Sequence, residues 1–341
     1  MAKNGIFCLG KKALWMSYLI SSLLLVFEAV CSASGVEIPI KDNDRLWIQG
    51  WGGKVVLVGS SEKSAEQKMM KIKTSEDAFR YQIDKVEGGV RIEVVGPDNN
   101  NDWLEKKSSL TLEVQSQPLA TEISMYDGSV TAVGWKKDLF VTTKQGNVIL
   151  KNCAHSRITT FRGDISVSEN EGNLNIETYS GSILTKKTKG HLSLLNFSGD
   201  TGIATHQGGV RFNGSQGALR VGELEGQIQF ENQRGGISIE ASTGRLEGST
   251  TNGNIHIDLP QEADVKVSSK SGTVLVKVRE VLGSYLNLTS EEGEIYVPNY
   301  LRVLRDTQSK VVKGKLKSSS PESKGQITVT TDTGNIQIRA N

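Results

Sequence analysis

Residues 163–190 read GDISVSENEGNLNIETYSGSILTKKTKG, with glycine at 163, 172, 181 and 190. The nine-residue step continues through Gly199, Gly208, Gly217, Gly226, Gly235, Gly244 and Gly253, so eleven glycines share one phase. A run of that length is an internal repeat, the mark of an architecture in which short units stack on one another. Two positions after each glycine the residue is aliphatic (Ile165, Leu174, Ile183, Leu192, Val210, Leu219, Ile228, Ile237, Leu246, Ile255) except at Thr201. Four positions after, most are apolar again, as in Val167, Ile176, Ile203, Phe212, Phe230 and Ile257, and the residue between is usually polar, as in Ser166, Asn175 and Gln229. Apolar, polar, apolar is the period of a short strand with one buried face. Glycine before each strand supplies the backbone angles of a sharp turn, which a Cβ resists.

A strand of four or five residues cannot bury a core alone. Coils stacked at about 4.8 Å can, because every strand then pairs with its copy above and below. The fold class expected is therefore all-β, a parallel β-solenoid of nine-residue arcs. Phe212 and Phe230 lie eighteen apart, as do Tyr179 and Phe197, which favours two arcs per coil and ring on ring. A three-arc coil of twenty-seven remains open. Ile165, Ile176, Leu192, Ile228, Ile237 and Ile255 are expected in the core.

The pattern loosens outward from this stretch. Gly128-Ser-Val130 and Gly146-Asn-Val148 repeat the step upstream, and Gly272-Thr-Val274, Gly293-Glu-Ile295, Gly325-Gln-Ile327 and Gly334-Asn-Ile336 repeat it downstream. This places a regular solenoid over 128–300 and a final C-terminal coil over 325–341. Between them, 301–324 carries Arg302, Arg305, Lys310, Lys313, Lys315, Lys317 and Lys324 and closes on Ser318-Ser-Ser-Pro321, which predicts a basic mobile loop. Residues 34–127 alternate like strands without strict spacing. They read as irregular first coils or as a small β cap.

The first thirty-three residues have a secretory layout: Lys3, Lys11 and Lys12, an apolar run from Ala13 to Phe27, then Cys31-Ser-Ala33. Residues 1–33 are expected to be a signal peptide and the mature chain to be exported, to a periplasm, an outer surface or the medium. Cys31 raises a lipid anchor as a rival, although Glu28 and Val30 stand where that processing wants aliphatic and small residues. The whole chain carries 40 basic and 38 acidic residues. Removing the leader takes away Lys3, Lys11, Lys12 and Glu28 and leaves the remainder neutral, against a nucleic-acid surface, which needs surplus cations. It also leaves Cys153 alone, so no intrachain disulfide is expected.

No constellation of reactive residues emerges. The position after each glycine reads Asp164, Asn173, Ser182, His191, Asp200, Gly209, Ala218, Gln227, Gly236, Arg245, Asn254, which is no ladder of calcium ligands. Asp164, Glu177, Asp200, Glu223, Glu225 and Glu240 read as solvated turns rather than a carboxylate pair, since nine-residue arcs leave no room for the walls of a cleft. His155, His191, His206 and His256 show no metal spacing and read as surface histidines. Lys313, Lys315 and Lys317 could meet acidic polymers or phospholipid head groups, or simply be solvated. Three Asn-x-Ser/Thr triplets, at Asn196, Asn213 and Asn287, are too short a motif to carry weight. No catalytic, cofactor-binding or metal residue is assigned, and no cofactor is expected.

Two longer segments carry a resemblance. Residues 110–133, LTLEVQSQPLATEISMYDGSVTAV, and 255–276, IHIDLPQEADVKVSSKSGTVLV, each run strand, proline-containing crossing, strand and glycine turn. In this the chain resembles the bacterial putative adhesin family, glycine-punctuated β-solenoids of unknown function that follow a signal peptide. The similarity spans roughly 45–341, with the basic insertion at 301–324 as its departure. It implies the architecture, but no catalytic or binding residues. The expected role is presentation of an extended surface for adhesion or envelope assembly, with glycans or cell-surface proteins as partners, no nucleic acid, and membrane contact only through secretion or an anchor. The alternatives are a polysaccharide-active β-helix enzyme and a self-assembling structural protein.

Overall fold

The computed structural model describes residues 6–7, 35–60, 69–74, 80–95, 111–240, 242–260, 263–278, 284–298, 303–306, 310–315 and 325–340. The leader assigned to 1–33 lies outside these, apart from Ile6–Phe7, which pair antiparallel with Gln82 and Ile83. The described residues are strands joined by turns, without helix, in a mostly parallel sheet. No helix among them is long and apolar enough to cross a membrane. The chain divides into two compact units, Met1–Arg162 and Gly163–Asn341.

In the second unit the repeat becomes a set of registers. Ile165 lies opposite Ile183, Leu174 opposite Leu192, and Val210 opposite Ile228, all parallel. Aliphatic residues therefore meet their own kind. Ile165, Ile176, Leu192, Ile228, Ile237 and Ile255 are all buried, as the alternation predicts. Phe212 pairs in register with Phe230 inside, while outside the rings of Tyr179 and Phe197 stack with centroids 4.7 Å apart and planes 7° from parallel.

The turns show why the glycine phase is strict. Gly181, Gly199, Gly217 and Gly235 lie one above another with φ between +123° and +145°. A Cβ on Gly235 would fall well inside 3.0 Å of the Gly217 carbonyl, a distance real Cβ atoms do not show. Beside this column runs one that binary patterning does not anticipate, because its members are polar and face inward. Nδ2 of Asn196 lies 3.2 and 3.0 Å from the carbonyls of Gly181 and Gly199, and Nδ2 of Asn232 lies 3.0 and 3.3 Å from those of Gly217 and Gly235. Further along, Ser269 donates to Gly253 and both Ser290 and Thr331 donate to Gly334. Each satisfies a turn carbonyl that burial would otherwise strand.

The order of coils near the C-terminus differs from the order in sequence. Residues 325–341 are expected outermost, yet Gln326–Thr331 lies between Asp264–Ser271 and Tyr285–Ser290, parallel to both. Likewise Ile336 pairs with Val274 on one side and Ile295 on the other. The outer position belongs to Tyr285–Tyr296 and to a hairpin, where the sequence predicts a loop. Val303–Asp306 and Val311–Lys315 pair antiparallel, and Val311–Lys315 also pairs antiparallel with Tyr285–Ser290. The basic charges of 301–324 mask Val303-Leu304 and Val311-Val312, whose branched side chains favour extended backbone. Val312 is buried.

The first unit also departs from sequence order. Arg45–Gly59 pairs parallel with Ala120–Val133 on one edge and with Gly89–Val95 and Thr111–Ser116 on the other. Antiparallel pairings then add Arg80–Val86 to Gly89–Val95, Met69–Thr74 to Thr111–Ser116, and Val36–Pro39 to Met69–Thr74. Trp135 is fully buried here, its indole N–H donating to the Leu119 carbonyl at 2.8 Å. Cys153 is a buried free thiol whose pKa burial pushes up, which disfavours the reactive thiolate.

Candidate functional site

The inward half of each strand of the second unit is spent on the core, so function has only the outward half to use. On the strands Thr201–Gln216, Ile228–Arg234, Arg245–Asn252, Asp264–Ser271 and Gln326–Thr331, the registers set Arg211, Gln229, Glu247, Lys266 and Thr328 in one row. A second row, two residues along, holds Asn213, Glu231, Ser249, Ser268 and Thr330. The rows line an open, shallow groove of about 420 Å³. Between the rows Gly248 continues the inward column of Phe212 and Phe230, where a Cβ would run into the Phe230 carbonyl and ring. Within the groove Glu247 meets Arg245 at 3.0 Å and Lys266 at 3.5 Å. These ion pairs are exposed and add little stability, about 0–1 kcal/mol each. They orient charge instead.

The carboxylates considered from sequence do not converge. Asp164, Glu177, Asp200, Glu223, Glu225 and Glu240 are all exposed. Two of them brace turns: Asp164 accepts from the Ser182 N–H at 2.8 Å, and Asp200 accepts from the Ala218 N–H at 2.9 Å. The Ala218 N–H, and then the Arg220 guanidinium at 2.9 Å, hold the Asp200 carboxyl below its usual range. Asn254 and Asn335 brace the coil beside them in the same way, through Thr273 and Glu294. The position after the glycine thus supplies backbone acceptors. Among the described residues no group of three or more His, Cys, Asp or Glu side chains could hold a metal ion.

The histidines separate. His155 and His191 are exposed and His256 is half-buried, but His206, read as a surface residue, is buried. It shares an inward column with Thr188 and Leu224, and its Nδ1 lies 2.9 Å from the Thr188 hydroxyl oxygen. The column reads Thr, His, Leu, a mixture in which the alternation does not show. Burial lowers the His206 pKa from its ordinary 6.5. The unfolded chain therefore binds the proton more readily, and the stabilisation His206 gives is complete above pH 6.5 and lost as pH falls from there towards the depressed folded value. Urea midpoints at neutral and mildly acidic pH should fall more steeply for the natural chain than for His206→Asn. Parallel slopes would contradict this.

Arg211, Glu231, Glu247 and Lys266 carry no motif. Their common signal is the offset itself: Arg211, Gln229 and Glu247 are eighteen apart, and one extra residue in the next coil displaces Lys266 by one. Glycine-turned short strands in parallel register, with inward aliphatic columns, are the features a family match must share. The chain belongs to the Toastrack DUF4097 family. The family match covers residues 63–339. No curated protein matches this Toastrack chain. Among solved structures it is similar to a putative cell adhesion protein from Clostridium sporogenes, at 11% identity over 90% of this chain and 99% of that one, with a TM-score of 0.20. It is also similar to a putative adhesin from Parabacteroides merdae, at 18% identity over 72% and 96% with a TM-score of 0.30. A third is a putative lipid binding protein from Parabacteroides distasonis, at 16% identity over 72% and 96% with a TM-score of 0.38.

Proposed function

We propose that this Toastrack chain is an exported, non-enzymatic β-solenoid, its coil made of two nine-residue arcs, that presents an extended surface for adhesion or cell-envelope assembly. The observation that carries the reading is the outward row Arg211, Gln229, Glu247, Lys266, Thr328, which backbone ladders hold at strand spacing on a continuous core. A row of that kind offers a partner many small polar contacts without reorganisation, which suits multivalent binding better than one deep pocket. Export rests on the layout of residues 1–33, with Lys3, Lys11 and Lys12 before the apolar run.

The test expresses the full chain in its own cells and follows two readouts, protease accessibility at the surface of intact cells and retention of the purified chain on isolated envelopes. The protein is expected outside the cytoplasm. Replacing Arg211, Gln229, Glu247 and Lys266 together by alanine should lower envelope retention at least about tenfold, while each single change costs less than about threefold. Cytoplasmic retention, or polysaccharide cleavage that one carboxylate substitution abolishes, would overturn the reading.

A further inference from the structure

The outward face of the first unit has a different chemistry. On Arg45–Gly59, Ala120–Val133, Leu139–Gln145 and Ser156–Arg162, the registers set Trp51, Tyr126, Lys144 and Phe161 in one row. Four residues back along the same strands runs a second row, Trp47, Glu122, Phe140 and Arg157. At about 3.3 Å per residue the two rows stand roughly 13 Å apart. Between them lies a row of smaller or uncharged polar side chains, Gln49, Ser124, Thr142 and Thr159. The face is thus a trough crossing the strands, with aromatic and charged walls and a floor of amide and hydroxyl groups.

The walls are built, and they stay in solvent. Trp51 is 61% exposed, Phe140 47%, Phe161 43% and Tyr126 41%. Trp51 and Tyr126 pack with ring centroids 4.6 Å apart and planes tilted by 36°. The Lys144 ammonium donates to the Tyr126 hydroxyl at 3.0 Å and lies 4.4 Å from its ring centroid. Arg162 lies over Phe161. Opposite the first strand, Arg91 pairs with Trp47 and Glu93 with Gln49. Along the trough Lys144 in one wall and Arg157 in the other stand against Glu122 alone, whereas at its margins Arg91 and Arg162 are balanced by Asp84 and Glu93 around the first and Asp127 in the row of the second.

We infer that this trough binds an extended acidic glycan chain laid across the strands. Exposed aromatic walls contact the apolar faces and C–H edges of pyranose rings, and the floor exchanges hydrogen bonds with ring hydroxyls. Strands about 4.8 Å apart repeat at nearly the length of one sugar, so each successive residue meets the next rung of the floor. Lys144 in one wall and Arg157 in the other supply charge-assisted bonds to carboxylates. A bilayer fits less well, because the floor would enter an apolar phase with its amide and hydroxyl groups unpartnered. The inference rests on the binding role proposed above but uses a different face.

A galacturonic acid hexamer titrated into the full chain should bind saturably and change the tryptophan fluorescence. Trp51→Ala and Lys144→Gln should each weaken binding by about tenfold or more, and raising salt from about 0.05 M to 0.5 M should weaken it similarly. Glu122→Gln should tighten it. Because these side chains are exposed, far-UV circular dichroism and melting should be unchanged, which separates lost binding from lost fold. Lys266→Ala and Glu247→Ala, on the second unit, should leave hexamer binding intact even if envelope retention fails. The inference is overturned by absence of saturable binding up to about 10 mM, by equal binding of a neutral glucose hexamer, by indifference to Trp51→Ala and Lys144→Gln, or by capture of anionic lipid vesicles in place of the hexamer.

Discussion

Gly235→Ala is expected to cost at least about 3 kcal/mol, while Gly236→Ala, one residue along, leaves stability unchanged or raises it by up to about 1 kcal/mol. The two glycines share a composition and a turn but not an environment. Gly235 has φ of +123°, which L side chains rarely adopt, and its Cβ would drive into the Gly217 carbonyl directly beneath it. Neither neighbour can yield, since both belong to backbone that pairs with coils on two sides. Gly236 has no such φ, and the nearest atom to an added Cβ is the Asn254 carbonyl oxygen at 3.7 Å, ordinary contact. There the methyl chiefly restricts the unfolded chain. Gly208 and Gly209 repeat the contrast, with the Gly190 carbonyl under the first and the His191 ring at 3.4 Å from the second. Urea denaturation of the four alanine variants checks the pattern. Equal losses at Gly235 and Gly236 would mean that the phase of the repeat does not reflect turn geometry.

Deleting residues 325–341 is expected to be worse than trimming an edge, and to give an insoluble chain or one that loses protection over 285–315 as well. Gln326–Thr331 and Ile336–Ala340 are interior strands with partners on both edges. Their loss removes Ile327, Val329, Ile336 and Ile338, all buried to within 2% exposure, and bares the pairing edges of Asp264–Ser271 and Tyr285–Ser290. Unpaired strand edges template association. A milder probe is Ile336→Ala, expected to cost about 2–5 kcal/mol, against a smaller loss for Val312→Ala on the outer hairpin. Hydrogen exchange and sedimentation of the truncated chain give the readout. A soluble, monomeric truncation with 285–296 still protected would contradict the interior placement.

What the sequence settles by itself is local and periodic. Glycine every nine residues, with aliphatic residues two and four positions on, dictates strand, turn and inward face over 163–257. Each of those depends on one residue's own backbone and on the neighbour that carries the same residue type one repeat away. The inward Asn196 and Asn232 break the rule that core positions are apolar, and His206 hides in a mixed column, because the Gly181 and Gly217 carbonyls and the Thr188 hydroxyl that they bond come from the preceding coil. The binding rows are harder still to read. Arg211, Gln229 and Glu247 can be aligned by counting, but Lys266 falls out of step by one residue, and Trp51 meets Tyr126 from seventy-five positions away.

Only the tertiary structure decides which coil neighbours which. Val265 pairs with Ile327 rather than Leu286, and Arg45–Gly59 takes partners on both edges from later in the chain. A strand with an aliphatic inward face fits equally well against many others of the same kind, so periodicity is indifferent to order. The choice is made by long connections that let the chain pass one coil and return, and by side chains that complete one particular edge. The basic segment 301–324 is such a connection. Its charges give no sign that Val303–Asp306 and Val311–Lys315 will form a hairpin and pair with Tyr285–Ser290, because that pairing depends on an edge that exists only once the preceding coils have stacked.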